Sequence, residues 1–338
     1  MNRYLSRRVL LESGAVAWAL VALLIVWAYS QSDDFRTGAN LSNLSRQLAV
    51  LGVIAAAQFI VVISEGVDLS LAANARFSAI ITAIVMDGDN SRFVLGLVAG
   101  LITGLVIGAI NAFIVTRLRV EPFIATLGTG ALVTGLALYF ASTPIGRSSP
   151  LLDEFYGFSI RGIYLTFALL IAVWLLIAFL LNKTPWGRHL YGVGGDPDIA
   201  ALSGVKSQSV KARAYVLAGL LGGLAGILIL ASAGVGDAAS VKGLEFDSLA
   251  VVVIGGASLA GGRGRLIGMV GGVLLFSLIG NVFNLVNVDI WYQELVRGII
   301  ILIAAAALVD GYTKKRKKRL NIPRNTSREI GAQHGNDS

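Results

Sequence analysis

Residues 182–213, NKTPWGRHLYGVGGDPDIAALSGVKSQSVKAR, form a polar interruption between two long apolar runs, LTFALLIAVWLLIAFLL at 165–181 and AYVLAGLLGGLAGILILASA at 214–233. Runs of that length and character match the hydrocarbon thickness of a bilayer, which a helix crosses with about 20 residues. The insert is too long and too patterned for a turn. Pro185 and Gly194-Gly195 are expected to break the backbone. Asp196, Pro197 and Asp198 then supply an N-cap, a proline at the first helical position and an early acid, followed by IAALSG with Gly204 as a stop. The segment predicts a short helix within a basic loop at the membrane surface, a docking element rather than a catalytic one.

Composition supports the same class. Apolar residues make up 55% of the 338, charged residues 14%, and the mean hydropathy is +0.75. The chain has no cysteine, which removes disulfides, thiolate catalysis and cysteine-bound metals. Its two histidines, His189 and His334, offer little for a triad or metal cluster. No cofactor is expected on this chain. Forty glycines suit closely packed or interrupted membrane helices. The N-terminal run, with Arg3, Arg7 and Arg8 ahead of it and no small-residue cleavage site behind it, reads as a retained first span.

The fold class expected is all-α and polytopic, with about ten spans: 13–30, 47–64, 70–87, 93–116, 122–141, 162–182, 213–236, 247–262, 266–287 and 290–310. With the N-terminus inside, twenty Lys and Arg fall in cytoplasmic segments, against Arg36, Arg46, Arg92, Arg147, Arg161 and Lys242 outside. That asymmetry places both termini in the cytoplasm. The transmembrane permease domain is set at 1–312, with a coupling loop at 183–213 and a basic tail at 313–338 that is expected to be disordered. The KKRKKR cluster at 314–319 reads as a positive-inside anchor, so the formal charge of +8 calls for membrane lipid and no nucleic acid.

Two segments look like interrupted helices. SEGVDLSLAANARF at 64–77 carries Glu65, Asp68, Ser70, Asn74 and Arg76, and IGGASLAGGRGRLIG at 254–268 holds six glycines in fourteen residues. Both follow an outside-to-inside span, a placement that transport proteins with duplicated halves use. Charges in spans usually face the protein interior, so Glu65, Asp68, Ser70 and Asn74 are candidates to line or gate a path. For Asp68 a capping role, accepting backbone N–H bonds, is the stronger reading. Arg76 lies eight residues on, about 12 Å along a helix, too far to pair with Asp68. It either snorkels to the cytoplasmic surface or faces a cavity. Glu294 and Arg297, three apart, read as a structural ion pair. Asn281 and Asn284 could line a path for a hydroxylated solute or bond between helices, and Trp291 and Tyr292 read as an interfacial belt.

GVDLS at 66–70, PFIATLGT at 122–129, GRHLYGVGGDPDIAALSGV at 187–205, GLEFDSLAVVVIGGASLAGGRGRLIG at 243–268 and YQELVRGIIILIA at 292–304 resemble, in order, the ribose-type permease subunits of bacterial ABC importers. The resemblance implies a permease that pairs in the inner membrane with a second copy or a sister permease. It also implies a periplasmic sugar-binding protein that delivers a monosaccharide or polyol, and a cytoplasmic ABC ATPase that drives transport. The chain has no G-x-x-x-x-G-K-[ST], so ATP hydrolysis belongs to that partner. Asp196, Pro197, Asp198, Ala200, Ala201, Ser203 and Gly204 then match the family's coupling helix, with a small Ala200-Ala201 face for the ATPase groove. Lys183, Arg188, Lys206 and Lys211 could orient that docking. The outer segments 142–161 and 237–247, with Asp153, Glu154, Asp237, Glu245 and Asp247, are the expected contacts for the binding protein. The chain departs from the family at Glu65, where a glycine is usual, and in Leu71-Ala72-Ala73, where the usual Gly-Ser after the motif is lost. A branched-chain amino-acid permease of the same machinery is the alternative. An ion-coupled secondary transporter is the alternative from another class.

Overall fold

A computed structural model describes residues 14–289, 291–300 and 302. The expected basic tail, the N-terminal arginines and the second half of the tenth expected span lie outside these residues. The secondary structure of the described residues is helical, joined by turns and loops, apart from a two-stranded hairpin of β1 (Ser159–Ile160) and β2 (Ile163–Tyr164). The helices are α1 (Ala15–Gln31), α2 (Gly38–Ile63), α3 (Leu71–Met86), α4 (Phe93–Thr116), α5 (Pro122–Phe140), α6 (Pro150–Gly157), α7 (Leu165–Lys183), α8 (Pro185–Gly195), α9 (Pro197–Leu202), α10 (Ser207–Ala233), α11 (Leu244–Ile254) and α12 (Leu266–Leu285).

Among the described residues six helices are long and apolar enough to cross a membrane: α2, α4 (with the turn before it), α5, α7, α10 and α12. The apolar helices α1 and α3 are shorter, at 17 and 16 residues. The expected span 247–262 is corrected. Its helix, α11, stops at Ile254 after 11 residues, about 16 Å, and a non-helical segment runs from Gly255 to Arg265. Gly256, Gly261, Gly262 and Gly264 there take positive φ, which L side chains rarely adopt.

Helices α2 and α10 form the centre, buried over most of their length, while α4, α5 and α7 each bury one side. Helix α10 packs most extensively on α4, then on α3 and α2. Glycine makes that closeness possible. A Cβ on Gly104 would stand 2.5 Å from Gly219 O and Gly223 N, and one on Gly108 would stand 2.6 Å from Tyr215 O. The i, i+4 glycines of α4 thus let two backbones touch, which drives association where the solvent is as apolar as the side chains.

The segment between α10 and α11 does not stay outside the bundle. Ile145 and Gly236 exchange backbone hydrogen bonds at 2.8 and 3.0 Å, and Gly236 lies against Ile80 and Ala83 of α3. Four residues on, Ser240 O accepts a bond of 3.0 Å from Arg76 Nε. The chain therefore descends along α3 before α11 begins. Arg76 is buried and turned to this segment, not snorkelled to the cytoplasmic end, and no Asp68–Arg76 pair forms among the described contacts.

Candidate functional site: a junction of two broken helices and a surface loop

The loop that interrupts α7 and α10 folds as two helices. The break expected at Pro185 is instead the start of α8. Proline occupies its first turn, where no N–H is needed, and Thr184 Oγ1 accepts from Gly187 N at 3.2 Å. Helix α9 is capped by Asp196, whose Oδ1 accepts from Asp198 N and Ile199 N at 3.0 and 3.2 Å. It ends before Gly204, at φ +81, with Val205 N closing onto Ala200 O at 3.0 Å. Ser207 Oγ ties the start of α10 to Pro197 O at 3.0 Å. The outward face differs from the small one expected. Ala200 is buried against the protein and Ala201 is exposed, while Ile199 and Leu202 project with 63% and 89% of their surface free.

The last turn of α8 meets both helix breaks. Gly262 N donates to Ile63 O at 2.9 Å, joining the second break to the first. Gly194 fits over that bond so closely that a Cβ there would lie 1.8 Å from Ile63 O and 2.5 Å from Gly262 N. Tyr191, on the same helix, donates its hydroxyl to Gly264 O at 3.0 Å, and burial pushes its phenol above the usual range, so it remains a donor. Glu65, at φ +66, lies 3.6 Å from Lys211 Nζ on α10, and its Cβ leaves no room for a side chain at Gly261. The departure from the family's glycine thus ties the first break to α10 at the edge of the loop.

Beyond Glu65 the first break is held by a buried polar network. Asp68 Oδ1 accepts from Ser70 N at 2.9 Å and from Ser70 Oγ at 2.6 Å. Asn111 Nδ2, on α4, donates to Ser70 Oγ at 2.7 Å. Thr126, on α5, accepts from Leu69 N at 3.1 Å, and its hydroxyl lies between two acceptors, Pro122 O at 2.9 Å and Val67 O at 3.2 Å. Asp68 accepts a backbone N–H, as a cap would, but helix α3 begins only at Leu71, so it closes an Asx turn ahead of the helix. Asn111 and Thr126 escaped the sequence reading. Their signals were a lone amide in the apolar run 93–116 and a threonine inside PFIATLGT.

The remaining candidates lie apart. Asn74 Nδ2 donates to Gly104 O and Gly219 O at 3.3 and 3.2 Å, inside the α3–α4–α10 packing. Asn281 and Asn40 exchange amide bonds of 2.7 and 3.2 Å between α12 and α2. Asn284 is exposed and accepts from Gln293 at 3.1 Å. Arg297 pairs with Glu294 at 2.9 Å, as its spacing suggested, and also with Asp247 at 3.5 Å. Asp247 is therefore buried and engaged, whereas Asp153 and Glu154 are exposed, with Asp153 accepting from Ser148 Oγ. Among the described residues no three His, Cys, Asp or Glu side chains group as a metal site requires.

The family described as branched-chain amino acid transport system / permease component matches residues 40–305, which hold both breaks and the loop between them. The chain belongs to this permease family. It is similar to the ribose import permease protein of Bacillus subtilis, with 37% identity over 83% of this chain and 88% of the relative. The ribose import permease protein of Escherichia coli K12 is 32% identical over 91% and 96%, and that organism's L-arabinose transport system permease protein is 34% identical over 84% and 86%. No solved structure matches the chain. The permease is a multi-pass membrane protein and a transport subunit, as the ordered motifs implied.

Proposed function

We propose that this permease is the translocating subunit of an ATP-driven ABC importer for a monosaccharide or related polyol. The observation that carries the mechanism is the seat of Gly194 on the Ile63–Gly262 hydrogen bond. A displacement of α8 and α9 is delivered there, without a flexible linker, to two helix breaks at once. A cytoplasmic ABC ATPase docks on α9 through Ile199, Ala201 and Leu202, with Asp196, Pro197 and Asp198 holding the helix rigid and Ser203 and Gly204 ending it. Its closure moves the junction and tilts α3 and α11 about their breaks. The path lies between this chain and a second permease, a copy or a sister chain, and opens alternately to each side.

A periplasmic binding protein delivers the sugar to outer segments that include the acidic helix α6. Both termini face the cytoplasm in this reading, which the excess of Lys and Arg in the inner segments supports. Glu65, Asp68 and Ser70 act as the hinge of the first break, Asn74 and Asn281 hold helices in register, and Asn284 is the exposed amide nearest to a lining role. The relatives' names favour a sugar over the branched-chain amino acid in the family's description. The test is reconstitution with the ATPase and binding protein in vesicles. Leu202→Glu and Ala201→Trp are expected to reduce sugar-stimulated ATP hydrolysis and uptake at least tenfold, with insertion and thermal stability unchanged. Full uptake in both variants, or transport of leucine in place of sugar, refutes the proposal.

A further inference from the structure

Beside the start of α10 the protein holds a cavity of about 300 Å³ lined by Thr116, Arg117, Arg119, Gln208, Ser209 and Ala212. No acid lines it. Glu121, the acid of the adjacent turn, has its carboxylate committed to Ile124 N at 3.1 Å. Neither Arg117 nor Arg119 makes an ion pair among the described residues, and Arg213 follows one turn after Ser209. Positive-inside charge places this end of α4 at the cytoplasmic leaflet. Above the cavity, Ile102, Val106, Ile110 and Phe113 form one exposed stripe at i, i+4, i+8 and i+11 along α4. Leu118, between the two arginines, is also exposed. The stripe is about 16 Å long at 1.5 Å per residue, close to the roughly 15 Å hydrocarbon depth of one leaflet.

We propose that this cavity is a binding site for an anionic glycerophospholipid of the cytoplasmic leaflet. The phosphodiester accepts from Arg117 and Arg119, the headgroup hydroxyls reach Gln208 and Ser209, and an acyl chain lies along the α4 stripe. Guanidinium forks suit phosphate oxygens, and basic pockets on the cytoplasmic side of spans take such headgroups. Because α10 begins here, at the Ser207 that ties it to α9, an occupying lipid braces the root of the coupling loop from the membrane side. The site does not depend on the identity of the cargo.

The test is native mass spectrometry of the purified full-length permease titrated with dioleoylphosphatidylglycerol or dioleoylphosphatidylcholine. The unmodified protein is expected to retain phosphatidylglycerol preferentially. Arg117→Gln/Arg119→Gln should weaken that retention about 30-fold, the product of two surface charges. Arg117→Lys/Arg119→Lys should keep part of it, the charge without the fork, and the control Arg188→Gln on α8, outside the cavity lining, should keep it in full, with thermal melts showing that each variant is folded. Ile110→Ser/Phe113→Ser should weaken the lipid but not glycerol phosphate. Equal retention in the glutamine variant overturns the proposal. Equal affinity for glycerol phosphate alone also overturns it, in favour of a free phosphate. Loss of ATPase co-purification with lipid retention intact overturns it too, and assigns the cavity to a protein contact.

Discussion

Replacing Gly194 by alanine tests the junction directly, because the added methyl has nowhere to go. Its Cβ would stand 1.8 Å from Ile63 O and 2.5 Å from Gly262 N, so Ile63 O must retreat by at least 1.2 Å to reach the 3.0 Å that real Cβ atoms tolerate. Those two atoms are the partners of the 2.9 Å bond that joins the breaks. Overpacking against backbone costs about 1–3 kcal/mol, and loss of the buried bond adds about 1 kcal/mol. The gain in helix propensity for alanine over glycine returns up to about 1 kcal/mol. The net expectation is a destabilisation of about 1–3 kcal/mol, with sugar uptake lowered more than the melting temperature would account for. Gly192, two residues earlier on the same helix, has nothing within 4 Å of its Cβ position, so Gly192→Ala receives the propensity gain without the clash. The pair is compared by thermal unfolding in detergent and by ATP-driven uptake in vesicles. If Gly194→Ala melts and transports like Gly192→Ala, α8 does not bear on the two breaks and the coupling argument fails.

Asn281→Leu leaves the Asn40 amide buried without its partner and should cost about 1–3 kcal/mol, whereas Asn40→Leu/Asn281→Leu should recover most of that loss in the same melt. Lys211→Glu places two carboxylates together at the first break and should lower both stability and the ratio of sugar moved to ATP hydrolysed. The exchange Glu65→Lys/Lys211→Glu should restore that ratio, with a coupling energy of about 1–2 kcal/mol for a half-buried pair. Failure of the exchange to rescue the ratio would show that the ion pair does not transmit movement.

Much of this protein was legible before any coordinates. Apolar runs of span length must be helical in lipid, because every backbone polar group needs an internal partner there. That reasoning located α4, α5, α7 and α12 within a few residues, while α2 and α10 begin nine and six residues before the expected 47 and 213, because their first turns are polar and carry no hydropathy signal. The capped helix α9 was equally readable, since Asp196-Pro197-Asp198 acts through local backbone bonds. The span expected at 247–262 failed for a tertiary reason. Hydropathy cannot distinguish a continuous helix from an 11-residue one that follows a descending segment, because both bury the same apolar side chains. The helix at 185–195 was missed because Gly194-Gly195 reads as a break, whereas Gly194 is needed for a backbone contact with Ile63 and Gly262, far from it along the chain in both directions.

The sequence alone determined the class of the protein, its approximate spans and the capped helix of its polar loop, since all of these follow from local propensity and the exclusion of polar groups from hydrocarbon. Only the tertiary structure decided which residues meet. It set Gly194 on the Ile63–Gly262 bond, tied Glu65 to Lys211, drew Asn111 and Thr126 into the Asp68 turn, and turned Ile199 and Leu202 outward in place of Ala200. Those pairings depend on helix rotation and on distances of a few tenths of an ångström across the bundle, and no spacing along the chain encodes them.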